Sequence, residues 1–419
     1  MLKNLYQPPS PKKTELVANR TSMFTLNVLT YGYSRLKNFL QKNPFSIMCQ
    51  FSSCAQDFQE GEPIIVFYEY LGEDNDVFVE FYNHLKTIYS NSKIYFVLDD
   101  CYEGLITLEF IEKINNSIQV DGWTVVTSNL KINHKNVINL HYHLFDKAYD
   151  NTTVAETAFS PNLNLRNKKF ICLNRAERIH RFETVLYLFE KELIKDTHVS
   201  CQNIQLLYQV DNIDPIKMRN SDAKQTLGDI QDQRLYSGFH EIKNHNFNEE
   251  QLDILRNKLP LWIEQEDTIL LNPKNMPNSK TIHNDSYWAL VTERDFYRSN
   301  VYEGYTEKTV KCLLYGIPFI IIGLPHTLRH LREQGFFTFE SFIDESYDDI
   351  EDDYQRFEEI KKQIDYLSSL NYNELDLMYK KMLPLLEYNY NHLQRIHQSS
   401  VSGKLSNLVQ QWYSQSHRA

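Results

Sequence analysis

No stretch of this chain is apolar for long enough to cross a bilayer. The longest apolar run, "IPFIIIG" at 317–323, falls far short of the ~20 residues that a spanning helix needs. The opening "MLKNLYQPPSPKK" has no apolar core of the kind a secretion signal carries, so a cytoplasmic location is expected. Cysteine is sparse. Six residues, at 49, 54, 101, 172, 201 and 312, form no CxxC pair and no metal-ligand spacing. That pattern argues against a disulfide framework or a zinc module and for reduced thiols. An excess of basic charge is also missing: 44 Lys and Arg against 55 Asp and Glu leave a net −11. A generic nucleic-acid binder needs a basic face for phosphates, so that class is disfavoured, with a local basic cleft still open. GxSxG, HExxH and Walker motifs are absent, which removes the commonest hydrolase, metalloprotease and P-loop signatures.

What is present is enough apolar residue, 42%, for a sizeable core, spread over 419 residues that as a prior make two or three domains. Residues 1–20 are polar and carry Pro8, Pro9 and Pro11, an extended arm. Beyond them short apolar runs alternate with helical spacing. Strands are expected at 45–51, 63–70, 93–100, 123–129 and 137–145, with helices at 74–90 and 105–118. Such alternation argues for an α/β class with parallel strands and crossovers. A polar connector separates a first domain, 21–155, from a second, 165–375. The second opens with a strand at 168–174 and an amphipathic helix, has a helical insertion around 248–259, and has strands at 281–293 and 317–323. From 344 the pattern is helical, and residues 376–419 form a helical tail. The acidic run "DESYDDIEDDYQRFEE" reads as a solvated helix start, which the helix dipole favours.

Two turns carry the chemistry. In "KKFICLNRAERIHRF" a buried strand ends near Asn174, and the turn into the next helix holds Arg175, Arg178, His180 and Arg181. Ligands of open α/β sheets bind at the carboxyl ends of strands, and a helix N-terminus attracts anions. Cations in a first turn oppose the dipole, so three arginines there point to a compensating anion such as a diphosphate. The second turn lies in "NVYEGYTEKTVKCLLYGIPFIIIG". Thr306 fits as the N-cap and Gly316 as the C-terminal stop. The first turn then offers Glu307, able to accept hydrogen bonds from a vicinal diol such as ribose, and Lys308, able to meet phosphate.

The segment "YTEKTVKCLLYGIPFIIIG" resembles the donor-binding segment of glycosyltransferases of GT-B architecture. It is nearest to the pattern of α1,3-fucosyltransferase-like and exostosin-like nucleotide-sugar domains, and "KKFICLNRAERIHRF" resembles the opening strand and helix of such a domain. The resemblance covers roughly 165–375. It implies two Rossmann-like domains with a helical tail packing back across them, and a hexosyl- or pentosyltransferase. The sugar would pass from a nucleotide-diphosphate-sugar to an acceptor hydroxyl. It implies that Glu307 holds the ribose and Lys308 with Arg175 the diphosphate, and the donor-binding candidates of the two turns are together Arg175, Arg178, Arg181, Thr306, Glu307, Lys308 and Gly323. The chain departs from the pattern at Cys312-Leu313-Leu314, where small residues are usual. The resemblance further implies no catalytic metal and no cofactor beyond the donor substrate, and a general base in the N-terminal domain. Strand-end acids supply the candidates for that base: Glu69, Asp99 and Asp100. The partners are the donor and an acceptor that is a glycan or, alternatively, a modified base such as a hydroxymethyl-pyrimidine in DNA. Asp99 and Asp100 also support a rival in which the pair holds Mg²⁺ or Mn²⁺ on the donor. A third possibility is a non-catalytic nucleotide-binding protein on a degenerate transferase fold.

Overall fold

A computed structural model describes residues 25–31, 48–52, 64–69, 75–100, 106–117, 122–139, 159, 161, 163–174, 178–201, 247–261, 277–297, 303–399, 408 and 411–412. The arm expected over 1–20 lies outside the described residues. The chain divides into two compact units. One comprises residues 1–142 with 398–419, and the other residues 143–397.

The first unit is built on six parallel strands: β1 (Thr25–Tyr31), β2 (Met48–Ser52), β3 (Ile64–Glu69), β4 (Ile94–Asp100), β5 (Gly122–Thr127) and β6 (Val137–Asn139), in the order β2-β1-β3-β4-β5-β6. Helix α1 (Asn75–Ile88) crosses from β3 to β4, and α2 (Leu108–Ser117) from β4 to β5. The central strand β4 is buried along its whole length, as a parallel sheet covered on both faces requires. On α1, Phe78, Tyr82 and Leu85 recur at helical spacing, and on α2 Phe110, Ile111 and Ile114 do the same. Both stripes pack on Ile64, Val66, Tyr68, Phe96 and Leu98 of the sheet. The chain leaves β1 for β2 on one side and returns to β3 on the other, so the switch of direction falls between β1 and β3.

The second unit holds four parallel strands: β7 (Lys168–Leu173), β8 (Thr197–Ser200), β9 (Ser286–Thr292) and β10 (Phe319–Ile322), in the order β10-β9-β7-β8. Helix α3 (Ile179–Glu190) follows β7, and α4 (Glu249–Lys258) and α5 (Pro277–Asn284) precede β9. Helix α6 (Glu307–Tyr315) links β9 to β10, and α7 (Thr327–Glu333), α8 (Asp353–Ser369) and α9 (Tyr372–Ser399) follow. Trp288 of β9 and Phe319 of β10 each pack edge-to-face on Phe339. Arg356, fully buried, ties α8 to the carbonyls of Phe296, Gly323 and Ile350. Here the switch of direction lies between β7 and β9.

The α/β class with parallel strands is therefore present. Strands β1 and β8 were not anticipated, and the strand expected over 281–293 starts only at Ser286, after the helix α5. The strand expected at 137–145 is described only over Val137–Asn139. The acidic run departs from expectation too. Asp352 does cap α8, accepting from the Gln355 amide. Glu345 and Asp348, however, are buried, because each has partners inside. Asp348 accepts from the Leu328 and Arg329 amides at the start of α7. Glu345 accepts from the Phe339 amide and Arg332. The side chains of Cys172, Cys201 and Cys312 are buried.

Candidate functional site at the second switch point

The carboxyl ends of β7 and β9 are stitched together by Thr292, whose hydroxyl donates to Asn174 Oδ1 at 2.5 Å. Two helices begin beside this junction. The start of α3 follows Asn174 after residues 175–177, so the expected Arg175 lies outside the described residues. Arg178 takes the N-cap position with extended backbone, and its own side chain makes no capping hydrogen bond. Ile179, Phe182, Val185 and Leu186 bury the apolar stripe that anchors α3, which fixes where its first turn points.

His180 and Arg181, one and two residues into α3, both reach the carbonyl oxygen of Glu293 just past β9. The His180 Nε2 atom lies 2.9 Å from that oxygen and an Arg181 guanidinium nitrogen donates to it at 3.0 Å. A carbonyl only accepts, so Nε2 carries the imidazole hydrogen. Burial, reinforced by the neighbouring Arg181 and Arg178 charges, holds the His180 pKa well below its ordinary value. The ring is therefore neutral, and its Nδ1 is an acceptor with no hydrogen-bond partner among the described residues. Its face stacks on Phe296. Burial, then the Arg178 charge, lowers Arg181 to about 10, so the guanidinium is still charged at neutral pH.

The start of α6 is organised differently. Thr306 caps it and Gly316, in the left-handed conformation at φ 64°, ends it, as the sequence pattern leads one to expect. At its N-terminus sits the carboxylate of Glu293, only 2% exposed. One oxygen accepts from the Thr306 amide at 3.0 Å and the Thr309 hydroxyl at 2.6 Å. The other accepts from the Thr306 hydroxyl at 2.5 Å. Lys308 donates to the Thr306 hydroxyl at 3.1 Å and lies 3.9 Å from both Glu293 and Glu307. Burial lowers its pKa, with Glu307 opposing the shift. Gly323, at the end of β10, leaves room for this carboxylate: a Cβ there would come within 3.1 Å of the Glu293 Cβ.

The described donor-site candidates thus gather at the carboxyl edge of one sheet, Arg178 and Arg181 in the α3 turn and Thr306, Glu307 and Lys308 in the α6 turn. Gly323 belongs to the same edge but faces Glu293. Lys308, expected on a phosphate, donates to Thr306 and lies beside two carboxylates. The residue that joins the two turns, Glu293, escaped sequence reasoning. Its signal was an acid closing the wholly buried strand "SYWALVT", a position where solvation alone does not account for a charge.

The candidate bases lie in the first unit, at the carboxyl ends of β3 and β4, where Glu69 and Asp99 are register partners. Asp99 and Asp100 are both buried. Asp100 is committed to the loop after β4: one of its oxygens accepts from the Ile106 amide at 2.9 Å and the Thr127 hydroxyl at 2.7 Å.

Comparison with protein-family models, with curated proteins and with solved structures finds no match. Among the described residues, no helix is long and apolar enough to cross a membrane.

Proposed function

We propose that the chain is a glycosyltransferase of GT-B type that moves a sugar from a nucleotide-diphosphate-sugar to an acceptor hydroxyl. The observation that carries this reading is the first turn of α3. It is a helix N-terminus whose N-cap residue makes no side-chain capping bond, set at the switch point between β7 and β9, with Arg178 and Arg181 in the same turn. Switch points are where open α/β sheets bind ligands, and an N-terminus with guanidinium groups favours a diphosphate. Glu307, partly exposed in the first turn of α6, is in position to accept from a ribose diol.

In this reading the acceptor oxygen forms a bond to the anomeric carbon while the bond to the diphosphate oxygen breaks. The diphosphate leaves with the electron pair. A general base takes the acceptor's proton, and Glu69 and Asp99 remain the candidates for it. Fixed cations and the α3 dipole stabilise the charge that develops on the leaving group, so no metal is required. The test is a panel of nucleotide-sugars offered with simple glycan acceptors and with DNA containing hydroxymethyl-pyrimidines, each assayed with and without EDTA. Sugar transfer that persists in chelator is expected. Transfer abolished by EDTA and restored by Mn²⁺ or Mg²⁺ would move the donor to Asp99 and Asp100. Nucleoside diphosphate binding without any transfer would favour a non-catalytic protein.

A further inference from the structure

Every polar atom of Glu293, the residue just past β9, is engaged, and by three different elements. Its amide donates to the Ile322 carbonyl of β10 at 2.9 Å. Its carbonyl accepts from Arg181 at 3.0 Å and from His180 Nε2 at 2.9 Å, both in the first turn of α3. Its carboxylate accepts from the Thr306 amide, the Thr306 hydroxyl and the Thr309 hydroxyl at the start of α6. Gly323 leaves little slack beside the side chain, since a Cβ there would lie 3.1 Å from the Glu293 Cβ and 3.4 Å from its Cγ. The helix itself does not call for this arrangement. Thr306 already caps α6 by accepting from the Lys308 amide, and a carboxylate only 2% exposed gives up more solvation than a neutral side chain would. What the acid adds is a link: one residue holds the α3 turn by its main chain and the α6 turn by its side chain.

We propose that Glu293 is a positioning residue that fixes the spacing between the two turns, so that a ligand reaching both, a nucleoside diphosphate, is selected over pyrophosphate, which reaches only the α3 turn. A fixed spacing makes the second contact intramolecular once the first is made, and a loose one forfeits that gain. The naming of that ligand rests on the transferase reading. The linkage between the turns does not.

Amide hydrogen exchange on the full chain tests the linkage, and calorimetry tests its use. Glu293→Ala is expected to accelerate exchange about tenfold at the Lys308 and Val310 amides of α6 and also at the Arg181 and Phe182 amides of α3, because opening free energies are shared within a cooperative unit. The β7 amides keep their protection. Acceleration confined to α6 would mark an ordinary contact at one helix start and overturns the proposal. Should Glu293→Ala fail to fold, Gly323→Ala serves, because it crowds Glu293 without removing any of its hydrogen bonds. Both turns are again expected to respond, and a response at one turn alone or at neither overturns the linkage. For its use, UDP and GDP are titrated beside pyrophosphate. The nucleotide that binds more tightly is expected to lose about tenfold in affinity in Glu293→Ala, with pyrophosphate changed by no more than about twofold. Equal losses for both would show a site that has merely collapsed, and overturn selection by spacing. Absence of nucleotide binding to the unmodified protein overturns the named ligand together with the transferase reading, while the exchange result still decides the linkage.

Discussion

Among single residues, Glu345 shows how burial and hydrogen bonding compete for one charge. Burial pushes its carboxyl up from the ordinary 4.5 to about 7, although bonds from Thr338 and the Phe339 amide and the Arg332 charge pull the other way. The neighbouring Asp348, itself raised by burial, adds to the upward push. The folded-state value lies above the unfolded one, so the protonated form is the one folding favours. The stability this group contributes is fully present below about pH 4.5. It is lost as pH rises through about 7, a swing on the order of 3 kcal/mol. Glu345→Gln should therefore melt higher relative to the unmodified protein at pH 8 than at pH 5, with the difference accumulating mainly between those values. Parallel thermal melts of the two proteins across that range measure it. A gap that is constant with pH would show that the arginine and amide bonds keep Glu345 ionised throughout.

The same residue marks a limit of sequence reading. In "DESYDDIEDDYQRFEE" every acid has equal claim to solvent, and only the fold shows that Glu345 and Asp348 have amides and an arginine to bind while Asp352 caps a helix. Glu293 escaped for a related reason. Its partners Thr306 and Thr309 lie more than ten residues away, and His180 and Arg181 more than a hundred. The arginine turn and the Thr306 cap were legible because their signals are local, residue types set beside one another at a helix start.

At the scale of elements, α6 shows what local sequence does specify. Its threonine cap, its buried stripe of Val310, Cys312 and Leu313, and its terminal glycine all fall where helical spacing puts them. Strand β8 is only four residues long and β1 is interrupted by Asn27 and Thr30. Neither carries a period long enough to be recognised, and both depend on pairing with β7 and with β3 and β2. Gly316 is the element's most exacting position. It combines φ +64° with a wall, since a Cβ would sit 2.4 Å from Phe159 Cε2. Gly316→Ala therefore faces left-handed strain of about 1 kcal/mol plus displacement of an aromatic ring. A total loss of about 2–4 kcal/mol is expected, the upper range for one substitution. Urea denaturation followed by circular dichroism reads it directly. A loss below about 0.5 kcal/mol would mean that Phe159 swings away freely and the cap is not a constraint.

On the scale of the whole molecule, the chain builds two doubly wound parallel sheets, each with its own switch point, and then spends its last residues on the first of them. Residues 398–419 belong to the unit formed by 1–142, so that unit draws on segments from both sides of the other in sequence. Trp412 is the anchor. It is 5% exposed, stacks on Tyr95 with ring centroids 5.1 Å apart, and accepts the Tyr95 hydroxyl on its carbonyl at 3.4 Å. Its indole also closes over Gly122, where a Cβ would meet Nε1 at 2.9 Å, which explains a glycine at the start of β5. Removing so large a buried side chain costs about 3–5 kcal/mol, and the loss should fall on one unit. In Trp412→Ala, hydrogen exchange of the β4 and β5 amides is expected to accelerate by two orders of magnitude or more, while the amides of β7 and β9 keep their protection, because local opening free energies follow cooperative units. Equal acceleration in both sheets would show that the two units unfold as one and that the tail stabilises the chain as a whole. No acceleration in β4 and β5 would show that the stacking on Tyr95 contributes nothing to the sheet beneath it.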